Sequence, residues 1–118
     1  MAAPNIVGVT TITAKTDGLA VTTSNTAIVT NSAASGQVYK INTLIAGNTS
    51  GSAQTISVDV FKNQTTAYRI ATTVNVPANS TIVVLAKDSA IYLEENDSLR
   101  VQSGANDLEA ICSYEIIE

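Results

Sequence analysis

The sequence predicts an all-β fold, an antiparallel β-sandwich that is jelly-roll-like with about eight to nine strands. Three observations predict it. Apolar residues recur with period two in stretches rich in Val, Ile and Thr, the pattern of strands with one buried face. Clusters of Gly, Asn, Ser and Pro interrupt these stretches about every ten residues, at 31–36, 47–52, 77–80 and 103–107. No stretch sustains the 3.6-residue period of an amphipathic helix.

Taken in order, residues 5–31 are expected to hold two or three strands, NIVGVTTIT, GLAVTT and TAIVTN. Ile6, Val7 and Val9 fit neither face cleanly, so residues 1–16 are expected to be an arm or a strand exchanged with a neighbour, and 17–118 the sandwich domain. Residues 38–46 place Tyr39, Ile41 and Ile45 on the core face. Residues 54–62 point Ile56, Val58 and Val60 inward and Thr55, Ser57 and Asp59 outward. Residues 67–76 put Tyr68, Ile70, Thr72, Val74 and Val76 inside, with Arg69, Thr73 and Asn75 outside. Residues 82–86, IVVLA, are apolar on both faces, as in a central strand or one covered by another subunit. Alternation there sets Ile82 and Val84 in the core and turns Val83 and Leu85 away from it, two apolar side chains that a neighbour should cover. Residues 98–103 send Leu99 and Val101 inward, and 108–117 align Leu108, Ala110, Cys112, Tyr114 and Ile116 on one face.

A chain of 118 residues fits one domain. It has no histidine, which removes together the commonest general base, the commonest zinc ligand and the usual pH switch. A Ser or Cys nucleophile would then need Lys or a carboxylate to activate it, so the chain reads as non-enzymatic and without cofactors. The single cysteine, Cys112, has no partner for an intramolecular disulfide and falls on a core face, where a thiol behaves as a small apolar group. Net charge is −4 with only six Lys and Arg, scattered, so nucleic acid is not an expected partner. The opening residues lack a basic leader, and no stretch approaches the ~18 apolar residues of a membrane helix. With 14% of residues charged, the surface must be largely Thr, Ser, Asn and Gln. Such a surface can be covered by a neighbour with little charge desolvation.

The segment 92–100 holds three carboxylates, Glu94, Glu95 and Asp97, close enough to suggest a calcium site. The competing reading is a hairpin in which Asn96 and Asp97 form the turn and the Asp carboxylate caps nearby N–H groups. Asp59, outward with Lys62 nearby, has no second acid for general acid/base work. Tyr39, Tyr68 and Tyr114 fall among inward residues, whereas Phe61 follows the outward pattern at a loop edge and is a candidate contact residue. The candidate interface is therefore Ile6, Val7, Val9, Phe61, Val83 and Leu85.

The opening MAAPNIVG, the Thr/Ala/Asn-rich strands, the IYLEENDSLRVQ turn and the closing SYEII strand together resemble small virion proteins of tailed bacteriophages, above all those of marine and cyanobacterial phages. The turn before the last strand is also similar to that of trimeric jelly-roll folds such as C1q and tumour necrosis factor, with Asn96 where those folds carry Gly. The resemblance implies a sandwich that oligomerises, as a trimer, on the surface of a particle. It implies a head decoration (cement) protein bound between major capsid subunits, with a tail, neck or fibre protein as the alternative. A carbohydrate- or receptor-binding sandwich is the reading from another class, although such sites usually stack sugars on Trp, which is absent.

Overall fold

The computed structural model describes residues 7, 8 and 10–118. Among the described residues the chain forms nine strands and one short 3-10 turn: β1 (Ile12–Val21), β2 (Thr26–Thr30), β3 (Val38–Asn48), β4 (Gln54–Lys62), β5 (Thr66–Val76), β6 (Thr81–Leu85), the turn Lys87–Ser89, β7 (Ile91–Leu93), β8 (Ser98–Ser103) and β9 (Leu108–Ile117). All pairings are antiparallel. One sheet has the order β1-β9-β3-β6, with β7 also on β3, and the other β2-β8-β4-β5. Chain-adjacent β1 and β2, β3 and β4, and β5 and β6 thus lie in opposite sheets, while β8 and β9 insert between earlier strands. That is the doubled Greek key of a jelly roll. β6 and β7 run successively along β3 as one strand broken by the 3-10 turn. No helix among the described residues is long and apolar enough to cross a membrane.

The core fills the space between the sheets with Ile41, Leu44, Ile56, Val58, Leu93, Leu99, Val101, Leu108 and their neighbours, all buried. Fully burying side chains of this size stabilises by roughly 1.5–3 kcal/mol each. Cys112 lies among them on the inner face of β9, and Tyr114 stacks on Tyr39 with ring centroids 5.6 Å apart.

Four expectations need correction, three of them because an inserted residue changes the period. Asn42 is an extra residue on β3 between the Ile41–Tyr114 and Thr43–Ser113 pairs, so Leu44 and Ala46 enter the core and Ile45 faces out. Val84 is an extra residue on β6 between Val83 and Leu85, and Leu85, expected outside, is 4% exposed within the core. Such bulges bend the strand and re-aim every residue beyond them. β5 carries two more, around Thr72–Thr73 and at Ile70. As an edge strand it buries only Val76 and leaves Tyr68, Ile70 and Val74 exposed. Thr73 sits in the left-handed region (φ 45), and its N–H donates to Ser57 Oγ at 2.9 Å. Lastly, β6 is an edge strand, not a central one. β1 pairs with β9 of the same chain from Ile12 to Val21. Ile6 and Val9 lie outside the described residues.

Candidate assembly surface

The two edge strands β5 and β6 lie on the same side of the sandwich, one from each sheet, and make little contact with each other. Between them opens a cleft lined by Ile70, Ala71 and Val74 of β5 and Ile82, Val83 and Val84 of β6, with no charged side chain. Val83 is 61% exposed at its rim, and Tyr68, also 61% exposed, extends the apolar strip along β5. On the outer face of the first sheet, Val83 pairs with Ile45 and Ile45 with Ile111, which is 49% exposed. Cross-strand neighbours of this kind form one continuous row. Apolar side chains therefore run from Ile111 across Ile45 and Val83 into the cleft and along β5. A contiguous exposed strip of this composition marks a contact surface more than scattered apolar residues would.

Of the candidate interface residues, Val83 lies on this strip, Leu85 does not, and Val7 is 92% exposed ahead of β1. Phe61 is on the outer face of the second sheet, half-buried beneath the Arg100 guanidinium at 3.8 Å from its ring centroid. That cation–π contact occupies one face of the ring.

The same outer face holds a charge cluster that the sequence did not reveal. Asp59 is 1% exposed although it points away from the core. Its partner is Arg100 rather than Lys62: Arg100 Nε donates to Oδ1 at 2.8 Å and Nη2 to Oδ2 at 3.0 Å, while Asn25 Nδ2 donates to Oδ2 at 2.9 Å. Burial pushes the Asp59 carboxyl up, but those hydrogen bonds and the charges of Arg100 and Arg69 outweigh it and hold the group below its ordinary value. The bidentate fork is the geometry in which an Arg–carboxylate pair is strongest.

At the turn before β8, the three carboxylates do not converge on one point. Asp97 Oδ1 accepts from the Asn63 N–H at 2.9 Å, and Oδ2 accepts from the Glu94 N–H at 3.0 Å and from Lys62 Nζ at 2.6 Å. Glu94 lies 3.3 Å from the same ammonium, and Glu95 turns away to accept from the Gly36 N–H at 2.8 Å. The Lys62 ammonium lies between Asp97 and Glu94, and its pKa is raised first by its hydrogen bond to Asp97. The turn reading, with Asn96 left-handed (φ 70), is the one this geometry supports. Among the described residues no group of three or more His, Cys, Asp or Glu is placed to hold a metal ion.

Two buried asparagines, read from sequence only as turn formers, anchor the loops. Asn31 Nδ2 donates to the carbonyls of Gln37 and Leu93, and its Oδ1 accepts from Ser35 Oγ at 2.6 Å. Asn48 Nδ2 donates to the carbonyls of Ser52, Val76 and Pro77. The short-range bonds to Ser35, Gln37 and Ser52 are those of ordinary turn asparagines; what sets these two apart is the bonds to Leu93, Val76 and Pro77, which are distant in the chain. Cys112 has its thiol pushed up to about 12, by burial first and by Asp17 second, and is inert at neutral pH.

No family model and no curated protein matches the chain. Among solved structures, a pentameric capsid protein isolated from metagenomic phage sequences aligns with it at a TM-score of 0.41 and 14% identity, over 85% of this chain and 63% of that one. The chain spans less than two thirds of that protein's length.

Proposed function

We propose that the chain is a non-enzymatic structural protein of a bacteriophage virion that self-associates, as a trimer, and acts as a decoration (cement) protein between major capsid subunits on the head. The apolar strip from Ile111 through Val83 into the β5/β6 cleft carries the reading, since it is too continuous to be left bare in water. The low charge of the chain supports it further, because a Thr/Ser/Asn surface is buried with little desolvation. The resemblance of the opening segment and the IYLEENDSLRVQ turn to small phage virion proteins supplies the particle, and the similarity to three-fold jelly rolls supplies the number three.

Sedimentation equilibrium of the purified chain should show a trimer at micromolar concentration, and Val83→Lys should shift it to monomer without lowering the melting temperature of the monomer. Mass spectrometry of purified particles should recover the chain from heads. Recovery from tails alone would transfer the role to the tail, neck or fibre alternative. A monomeric wild-type chain absent from particles would end the proposal.

A further inference from the structure

We infer that the β5/β6 cleft of each chain is filled by residues 5–9 of a second copy, whose apolar side chains close the open side of the sandwich. The inference rests on the reading of the chain as a homo-oligomer and identifies what covers its apolar strip.

Composition is the first ground. The cleft presents Ile70, Ala71, Val74, Ile82, Val83 and Val84 and no charge. The segment NIVGV carries three β-branched aliphatic residues, Ile6, Val7 and Val9, and residues 1–14 contain no charged side chain, so docking costs no charge desolvation on either side. Val7 is 92% exposed ahead of β1. β6 is an edge strand, so its outer backbone groups are available to an added strand.

Reach is the second ground, and it decides between a chain's own cleft and a neighbour's. The N–H groups of Thr10 and Thr11 both donate to the Glu118 carbonyl, at 2.8 and 3.0 Å, which fixes the root of the segment beside the end of β9. That end of β9 pairs with Val38, whereas Val83 pairs with Ile45, seven residues further along β3. Seven residues of strand span ~23 Å, and the step from β1 across β9 and β3 to β6 adds ~14 Å sideways, so the cleft lies ~27 Å away on the diagonal. From Thr10, an extended chain reaches only ~10 Å at Val7 and ~14 Å at Ile6. These residues cannot enter the cleft of their own chain, and a second copy must supply them.

The test uses two full-length chains of different tag length, one carrying Val7→Cys and the other Val74→Cys, refolded together and treated with a short bismaleimide. Cys112, buried and with its thiol at about 12, stays out of the reaction. The expected result is a heterodimeric product in at least fivefold excess over either homodimer. A chain carrying both substitutions should give intermolecular ladders. Substituting Val7→Asp and Val9→Asp together should weaken self-association at least tenfold with no change in the melting temperature of the monomer. A dominant intramolecular link in the doubly substituted chain would overturn the inference. So would capture of Val7→Cys by a capsid protein of the particle and not by Val74→Cys. Assembly unaffected by the Asp pair but abolished by Val83→Lys would overturn it too, while leaving the proposed oligomer intact. A wild-type chain that stays monomeric would overturn both.

Discussion

Asp59 shows how a single side chain changes meaning between one dimension and three. Its place in an alternating strand, odd where Ile56 and Val58 are even, puts it outside, and it is outside; yet it is buried there, its carboxylate bonded by Arg100 and Asn25, with Arg100 in turn lying over the Phe61 ring. Arg100→Ala should therefore cost about 3–5 kcal/mol in urea unfolding, the penalty of leaving a buried carboxylate without its partner. The folded-state pKa of Asp59 is depressed, so its contribution is fully present above the unfolded value near 4 and is lost as pH falls through the folded value. Wild-type stability should decline from about pH 4 downward, and Asp59→Asn should flatten that decline. An equal acid slope in both proteins would assign the effect to other carboxylates. Cys112, by contrast, is packing alone: Cys112→Ala should preserve fold and assembly at a cost of about 1 kcal/mol by thermal melting.

At the scale of the element, strands β4, β8 and β9 run as their alternation and flanking turns require, from Gln54 to Lys62, Ser98 to Ser103 and Leu108 to Ile117. In β4, Val58→Asp should unfold the domain, because it places an unpartnered carboxylate among Ile56, Val101 and Leu99 at a cost of several kcal/mol against a total near 5–15. An unchanged unfolding midpoint would refute the assigned face. In β6 the bulge at Val84 makes neighbours behave differently. Leu85→Lys should destabilise the monomer by several kcal/mol, while Val83→Lys should leave its melting temperature within a degree or two. Equal effects from the two substitutions would mean that the strand runs without the bulge.

For the molecule as a whole, the jelly-roll order makes β5 and β6 the edges of the two sheets on one side of the sandwich and leaves a cleft between them, in a body about 48 × 26 × 20 Å. An elongated unit with an apolar seam on one side is suited to bridging larger subunits, which is the role proposed. Adding the purified chain to particles stripped of it should raise the temperature at which they release DNA, read by dye uptake on heating. Val83→Lys should fail to do so. No change on adding the wild-type chain would remove the cement role even if the chain were a virion component.

The amino-acid sequence by itself determined that this protein is an antiparallel sandwich, which residues fill most of its core, and that Cys112 is internal. Period-two alternation and turn residues are local properties, and they need only neighbours in the chain to be read. The tertiary structure alone decided the places where a strand meets a distant one. The bulges at Asn42, Val84, Ile70 and Thr72–Thr73 are set by the register between paired strands, and those on β3 and β6 reassign Ile45 and Leu85. The Asp59–Arg100 fork joins residues 41 positions apart in the sequence, and the Asn31 and Asn48 anchors reach across 62 and 28 positions to Leu93 and Val76. The open cleft exists only because strand order makes β5 and β6 edges of facing sheets, a property of topology that no single stretch of sequence contains.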